Sequence, residues 1–462
     1  MRRVLLFVIF AIVSISAKGY DFEQDGIFYT RKTDGLWVAS SPNDYKYKGD
    51  IVIPSTVTYE GTEYTVVGIG NSAFKYCSSL ASIIIPNSVT VIGDNAFAEC
   101  NNLESVTIGN GVDSIGNSAF SECNSLKSIS IPDNVTKLGG NAFWRCKSLQ
   151  TVTIGCGIKT IKGDTFKYCT RLQSIVIPNC TIEDYAFYEC TSLSSVVMQN
   201  SDNSETSIGE CAFWQCKSLA SINLSNSLTS IGKKAFEGCT SLASINLPNS
   251  LTSIEKWAFK DCTSLTSIDI PNKVTSISCH LVGGCTSLKT MNVDRNIEIF
   301  YGCSISGCIK LTSLVCKTPN PPKLGRLSDF DYNVCLNTIL YVPKGSEEAY
   351  KKAEGWKNFR TIKAIGEDGD TDNTNTDDKT TDDNNTDDNK TDDGISDGDS
   401  GWSINIKIKG EDIAQCSIDN IESIEFTEDG LYIIINYKDG KSAKYDMSKF
   451  ESIDFSEKGG NN

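Results

Sequence analysis

The residues able to do chemistry are few, and their spacing argues against most catalytic arrangements. One histidine, His280, stands in 462 residues. It lies five residues before Cys285, at an offset that elsewhere carries Ser, Asn, Asp, Tyr, Lys, Trp and Cys. That mixture is expected of a solvated edge. With no second imidazole, histidine triads and histidine-based zinc sites are set aside. No C-x-x-C occurs among the 19 cysteines; Cys211/Cys216 and Cys303/Cys308 are spaced C-x4-C, which is weak for a metal site. Cys156 and Cys180 are the better disulfide candidates. Acid pairs for glycoside hydrolysis need carboxylates ~5–9.5 Å apart. Glu104 and Asp269 lie on coils separated by roughly 34 Å at strand spacing. Asp368, Asp370 and Asp372 open like a calcium loop but lack its closing Glu. No catalytic residue, metal or cofactor is expected, and the chain reads as a non-enzyme.

The elements that carry these residues are repeats. Cys239–Gly284 holds two consecutive 23-residue units, CTSLASINLPNSLTSIEKWAFKD and CTSLTSIDIPNKVTSISCHLVGG. The same pattern places eleven cysteines in one column: Cys77, Cys100, Cys123, Cys146, Cys169, Cys190, Cys216, Cys239, Cys262, Cys285 and Cys308. A fixed period of this size marks a solenoid, one repeat per coil. Phe stands three before the column cysteine from Phe74 to Phe259, and Leu three after it from Leu80 to Leu311. Apolar residues follow at offsets six and eight, as Ile245 and Leu247 do. That alternation is a strand with one face inward. The column cysteines are expected as buried free thiols, because parallel stacking keeps their Cβ atoms farther apart than a disulfide prefers.

The pattern resembles the BspA-like class of leucine-rich repeats, over about residues 20–365. The resemblance implies a right-handed, mainly β repeat solenoid with a parallel sheet. It also implies an adhesion role on surface proteins, with matrix proteins such as fibronectin or fibrinogen as typical ligands.

Around the repeats, composition divides the chain further. Residues 1–18, with two arginines and an apolar run from Val4 to Val13, have the layout of a signal peptide. Residues 19–70 read as an N-terminal capping β segment, 71–316 as about eleven coils, and 317–365 as a C-terminal capping coil with a short helix around Ser346–Glu354. Residues 366–400 hold 14 acidic residues against 2 lysines, so this stretch carries −12 of the net −15. It is expected to be an unfolded linker. Residues 401–462 contain a 29-residue duplication, in which Ile404-x-Ile406-x-Ile408 aligns with Ile433-x-Ile435-x-Tyr437, and so form a small all-β module. The short apolar run near the start cannot span a bilayer, which takes ~20 residues. No cysteine lies near the cleavage site to carry a lipid. Secretion or cell-surface display follows, with a mature chain lacking any membrane span. There is no basic patch for nucleic acid.

Function is expected on the outward positions. A hydroxyl follows every column cysteine by five, including Ser174, Ser195 and Ser221. These make a ladder on the sheet face, which either packs well or hydrogen-bonds an extended ligand. Just before the column cysteines stand Tyr76, Trp144, Tyr168, Tyr188 and Trp214, with Tyr185 and Trp257 close by. These aromatics suit contacts to an extracellular protein or a glycan; lateral packing between coils is the competing explanation. The chain is expected to act as a monomer, as an adhesin or else as a glycan-binding or structural envelope protein.

Overall fold

The computed structural model describes residues 19–42, 47–199, 204–325 and 330–366, and the strand backbones within 402–457. Residues 1–18, expected as a signal peptide, and the stretch beyond Gly366, expected as a linker, lie outside the described residues. The chain divides into two units, Met1–Asn373 and Thr374–Asn462.

The first unit is a parallel-sheet solenoid, and its packing follows from the repeat. Each coil except that of Cys239 contributes a longer strand, with apolar residues entering the core, and the ladder is interrupted at that coil. Ser128–Ile131 pairs in parallel with Thr151–Ile154, and the ladder continues through Ser174–Ile177, Ser195–Met198 and Ser221–Asn223. A short strand on another side stacks likewise, from Thr160–Ile161 through Thr181–Ile182, Thr206–Ile208 and Leu228–Ile231 to Ser253–Ile254. The turn that leads back to the column cysteine makes a third ladder. Its N–H groups five, three and one before the cysteine donate to the next coil, as Ser72, Phe74 and Tyr76 do to the carbonyls of Asp94, Ala96 and Ala98. The backbone achieves this with left-handed residues at two fixed offsets, exemplified by Asn95 (φ 54°) and Glu99 (φ 63°). L-residues adopt that conformation at a cost of roughly 1–2 kcal/mol each. The ladder is therefore maintained by stacking rather than by local preference.

Inside, the phenylalanine column forms a continuous stack. Phe74 to Phe259 are fully buried, with successive ring centroids 4.9–5.4 Å apart. All eleven column cysteines are buried and free, as expected.

The ends differ from the repeats because an open stack would expose apolar rings and unpaired edges. At the start, Phe22–Gln24, Ile27–Lys32 and Gly35–Val38 form an antiparallel meander. Gly35–Val38 then pairs in parallel with Thr62–Ile69, which joins the short-strand ladder at Val91–Ile92. Tyr47 closes the ring stack: its ring lies 4.4 Å from Phe74, and its hydroxyl accepts from the Phe28 N–H and donates to the Ala39 carbonyl. Lys48–Val52 pairs with Ser79–Ile84 as a degenerate first coil. At the far end the long-strand ladder runs from Ser313–Cys316 to Ile339–Val342 and Thr361–Ala364. A helix at Glu347–Lys352 lies within the span expected for one. Buried Trp356 donates to the Pro322 carbonyl at 2.8 Å and packs with Phe300, Phe330 and Phe359.

Among the described residues the second unit shows six strands in two antiparallel sheets. Trp402–Ile408 sits between Ala414–Ser417 and Phe450–Glu457, and Tyr432–Tyr437 sits between Ile421–Phe426 and Ser442–Asp446. Displacing the first three strands by 29 residues brings them onto the last three. Each hairpin thus takes its third strand from the other half.

Candidate functional site

Three sets of residues come together on the solenoid, and they are not equally free to bind. The long-strand face is the most open. Its hydroxyl ladder is in register: Ser128, Thr151, Ser174, Ser195 and Ser221 are successive cross-strand neighbours. Ser174 and Ser221 are exposed and Ser195 is half-buried. Two residues further along each strand runs a second outward row, in which Val176 and Val197 are paired and exposed at 49% and 39%. Val52 and Ile84 form a similar pair near the first coil, exposed at 63% and 45%. The valine pair beside the hydroxyl ladder is an unforced exposure of apolar surface, and sequence reasoning missed it. The available signal was a β-branched residue at an offset held in neighbouring coils by Thr153 and Asn223. The acidic side chains on this face are engaged. Glu104 pairs with Lys127 at 2.9 Å, and Asp269 accepts from Asn292 at 2.6 Å.

The aromatic flank occupies a separate strip, in the turns before the column cysteines. Tyr168, Tyr185, Tyr188 and Trp214 meet one another. Tyr188 stacks on Trp214 at 4.5 Å and packs against Tyr168 and Tyr185 at 5.6 and 5.7 Å. Lys167, paired with Asp164 at 2.7 Å, lies over Tyr185 and Tyr188 at 4.8 and 4.9 Å. Burial pushes the Tyr188 hydroxyl up to about 12. Trp144 joins the group only through Arg145, which lies over both Trp144 and Tyr168 at 4.2 and 5.5 Å. Trp257 stands apart, within 5.9 Å of Lys233, Lys234 and Lys256. All six of these rings are half-buried. Packing between coils engages Tyr168, Tyr188 and Trp214, while the contacts of Trp144 and Trp257 are to cations.

The cysteines depart from expectation at one place. Cys156 and Cys180 are both free, because Cys156 is exposed while Cys180 points into the core. The disulfide is instead Cys279–Cys303, with Cα atoms 5.4 Å apart. Its separation of 24 residues, close to one coil, is the same as that of Cys156 and Cys180. The C-x4-C pairs do not close: Cys308 is a column thiol donating to the Val282 carbonyl at 3.2 Å. Cys211 is free and held up to about 11 by burial, then by Glu210. His280 is half-buried rather than fully solvated, and groups with Cys279 and Cys303. No helix among the described residues is long and apolar enough to cross a membrane.

Solved structures similar to this chain include a leucine-rich cell surface protein from Faecalibacterium prausnitzii, 26% identical over 63% of this chain and 93% of that one, with a TM-score of 0.35. A leucine-rich repeat protein from Bacteroides ovatus is 27% identical over 75% of this chain and all of its own, with a TM-score of 0.33. The pneumococcal vaccine antigen PcpA is 19% identical over 75% of this chain and 98% of its own, with a TM-score of 0.43. No curated protein shows a significant sequence match. The global superpositions are too loose to carry an argument, and the repeat itself carries the assignment. Six copies of the family repeat match within residues 67–194 and 180–312, so the chain belongs to the family of the BspA type leucine-rich repeat region.

Proposed function

We propose that this is a non-enzymatic, exported adhesion protein that holds an extended protein ligand on the long-strand face of its solenoid. The observation that carries the reading is the register of Ser174 and Val176 beside Ser195 and Val197. An apolar pair flanked by hydroxyl donors, on a rigid sheet with few free charges, suits main-chain hydrogen bonds and small apolar side chains of an extended partner. Membership of a repeat family with cell-surface relatives supports display outside the cell. The family resemblance points to matrix proteins such as fibronectin or fibrinogen, bound by a monomer.

The glycan-binding alternative draws on the aromatic flank, whose rings already stack on one another and under cations. An array of matrix proteins and polysaccharides, probed with the full chain, tests both. Binding to a matrix protein that a Val176→Lys/Val197→Lys variant weakens at least tenfold is the expected result. Binding to polysaccharide alone, lost on Trp214→Ala and kept in the lysine variant, would overturn it.

A further inference from the structure

Cys279, His280 and Cys303 form the one group of three metal-ligating side chains among the described residues, with one ligand atom of each within 4.8 Å of the others. The fold brings them together diagonally. His280 and Cys303 occupy the same offset, five before a column cysteine, on adjacent coils, and Cys279 precedes His280. The regular turn gives way here to a 3-10 helix at Gly302–Ile305, which carries Cys303 across toward Cys279. Gly283 leaves room for the imidazole, since a Cβ there would stand 2.9 Å from His280 Nδ1. Gly283 occupies the offset that holds Trp144, Tyr188 and Trp214 in other coils. All three ligands are half-buried, so the cluster is sheltered yet reachable.

We propose that Cys279, His280 and Cys303 bind zinc(II) when the Cys279–Cys303 disulfide is reduced. Two thiolates and an imidazole are a donor set that zinc prefers, and three protein ligands leave the fourth position open for water or a partner's side chain. Reduction by a dithiol passes two electrons and two protons to the sulfurs, and the dithiol becomes a cyclic disulfide. Zinc then displaces those two protons. The sulfurs must separate to about 3.8 Å, the tetrahedral edge for ~2.3 Å Zn–S bonds. Cα atoms 5.4 Å apart accommodate this by side-chain rotation. The disulfide and the zinc site are then mutually exclusive states of the same coil.

The test uses the full chain without a histidine tag, in a Cys156→Ser background that removes the exposed free thiol among the described residues. After reduction with dithiothreitol and anaerobic desalting, zinc is titrated against a chromogenic chelator. The expected result is one zinc per chain when reduced and none when oxidised. Cys279→Ser or Cys303→Ser should abolish stoichiometric binding, and His280→Gln should weaken it about tenfold or more. Because His280 is the chain's single histidine, its ring protons are a unique NMR reporter. They should move on adding zinc to the reduced chain and stay still in the oxidised one. No stoichiometric binding, parental affinity in His280→Gln, or an unmoved imidazole at saturating zinc would overturn the proposal.

Discussion

The Cys239 thiol donates to the carbonyl oxygen of Phe213, 3.2 Å away and one coil back. The same bond recurs from Cys100 to Cys285, always to a ladder phenylalanine at 3.0–3.2 Å. The Phe N–H bonds forward to the next coil, and its carbonyl, which accepts the column cysteine N–H of its own turn, also receives this thiol. A column cysteine is thus a donor as well as a small apolar filler. Cys239→Ala should cost about 1–3 kcal/mol, from a lost hydrogen bond and a small cavity. Cys239→Ser keeps a donor and should cost less than Cys239→Ala in denaturant titrations. The reverse order would mean that the thiol acts only by filling space.

The same burial controls thiol chemistry and pH response. Burial pushes the Cys146 thiol from its ordinary 9.0 up to about 12, opposed by its backbone bond one coil back. A folded-state value above the unfolded one means that the unfolded chain loses its proton first as pH rises. Stability from this thiol is therefore complete below about pH 9 and declines between pH 9 and 12. The denaturation midpoint should fall through that window, and less steeply in Cys146→Ala. Under native, non-reducing conditions at neutral pH, alkylation followed by peptide mass spectrometry should label Cys156 and spare the column.

The core was legible because one repeat is one coil, so residues at equal offsets must stack. Phe236 and Leu242 needed no structure to be placed inside. Cys279 and Cys303 meet because they sit one offset apart on adjacent coils, but Cys156 and Cys180 have the same 24-residue separation, so spacing alone does not choose between the two pairs. The flank was legible in a different way. Tyr188 and Trp214 share an offset and stack, but variable letters at that offset look like solvent-facing freedom. The left-handed turns were hard to see for a related reason: Tyr185 and Trp257 are poor local markers of positive φ, and tertiary pairing imposes it.

Phe236 lies between Phe213 and Phe259, at ring distances of 5.2 and 5.4 Å. Phe236→Ala should cost ~3–5 kcal/mol and Phe236→Leu distinctly less, because leucine refills most of the cavity. Hydrogen exchange should show lost protection centred on the coils of Phe213 and Phe259. A parental melting curve for Phe236→Ala would contradict the stack.

Glu122 has φ of 59°, at the offset where Gly238 and Gly284 stand in later coils. Glu122→Asn should be neutral or slightly stabilising, since asparagine tolerates this conformation. Glu122→Val, β-branched in the same place, should cost about 1–3 kcal/mol. Equal stability of the two variants would show that this backbone is unconstrained.

Tyr188 separates a structural flank from a binding one. Its ring is stacked on Trp214, edged by Tyr168 and covered by Lys167. Aromatic pairs of this kind contribute ~0.5–1.5 kcal/mol beyond area burial, and a cation over a partly exposed ring ~0.5–1 kcal/mol. Tyr188→Ala should therefore destabilise the chain by roughly 1–3 kcal/mol in denaturant titrations, while leaving affinity for a ligand of the proposed sheet face within about twofold. Val176→Lys/Val197→Lys should do the opposite, since both valines already face solvent and nothing in the core rests on them. Loss of binding in Tyr188→Ala at temperatures where the variant is fully folded would move the ligand from the sheet to the flank.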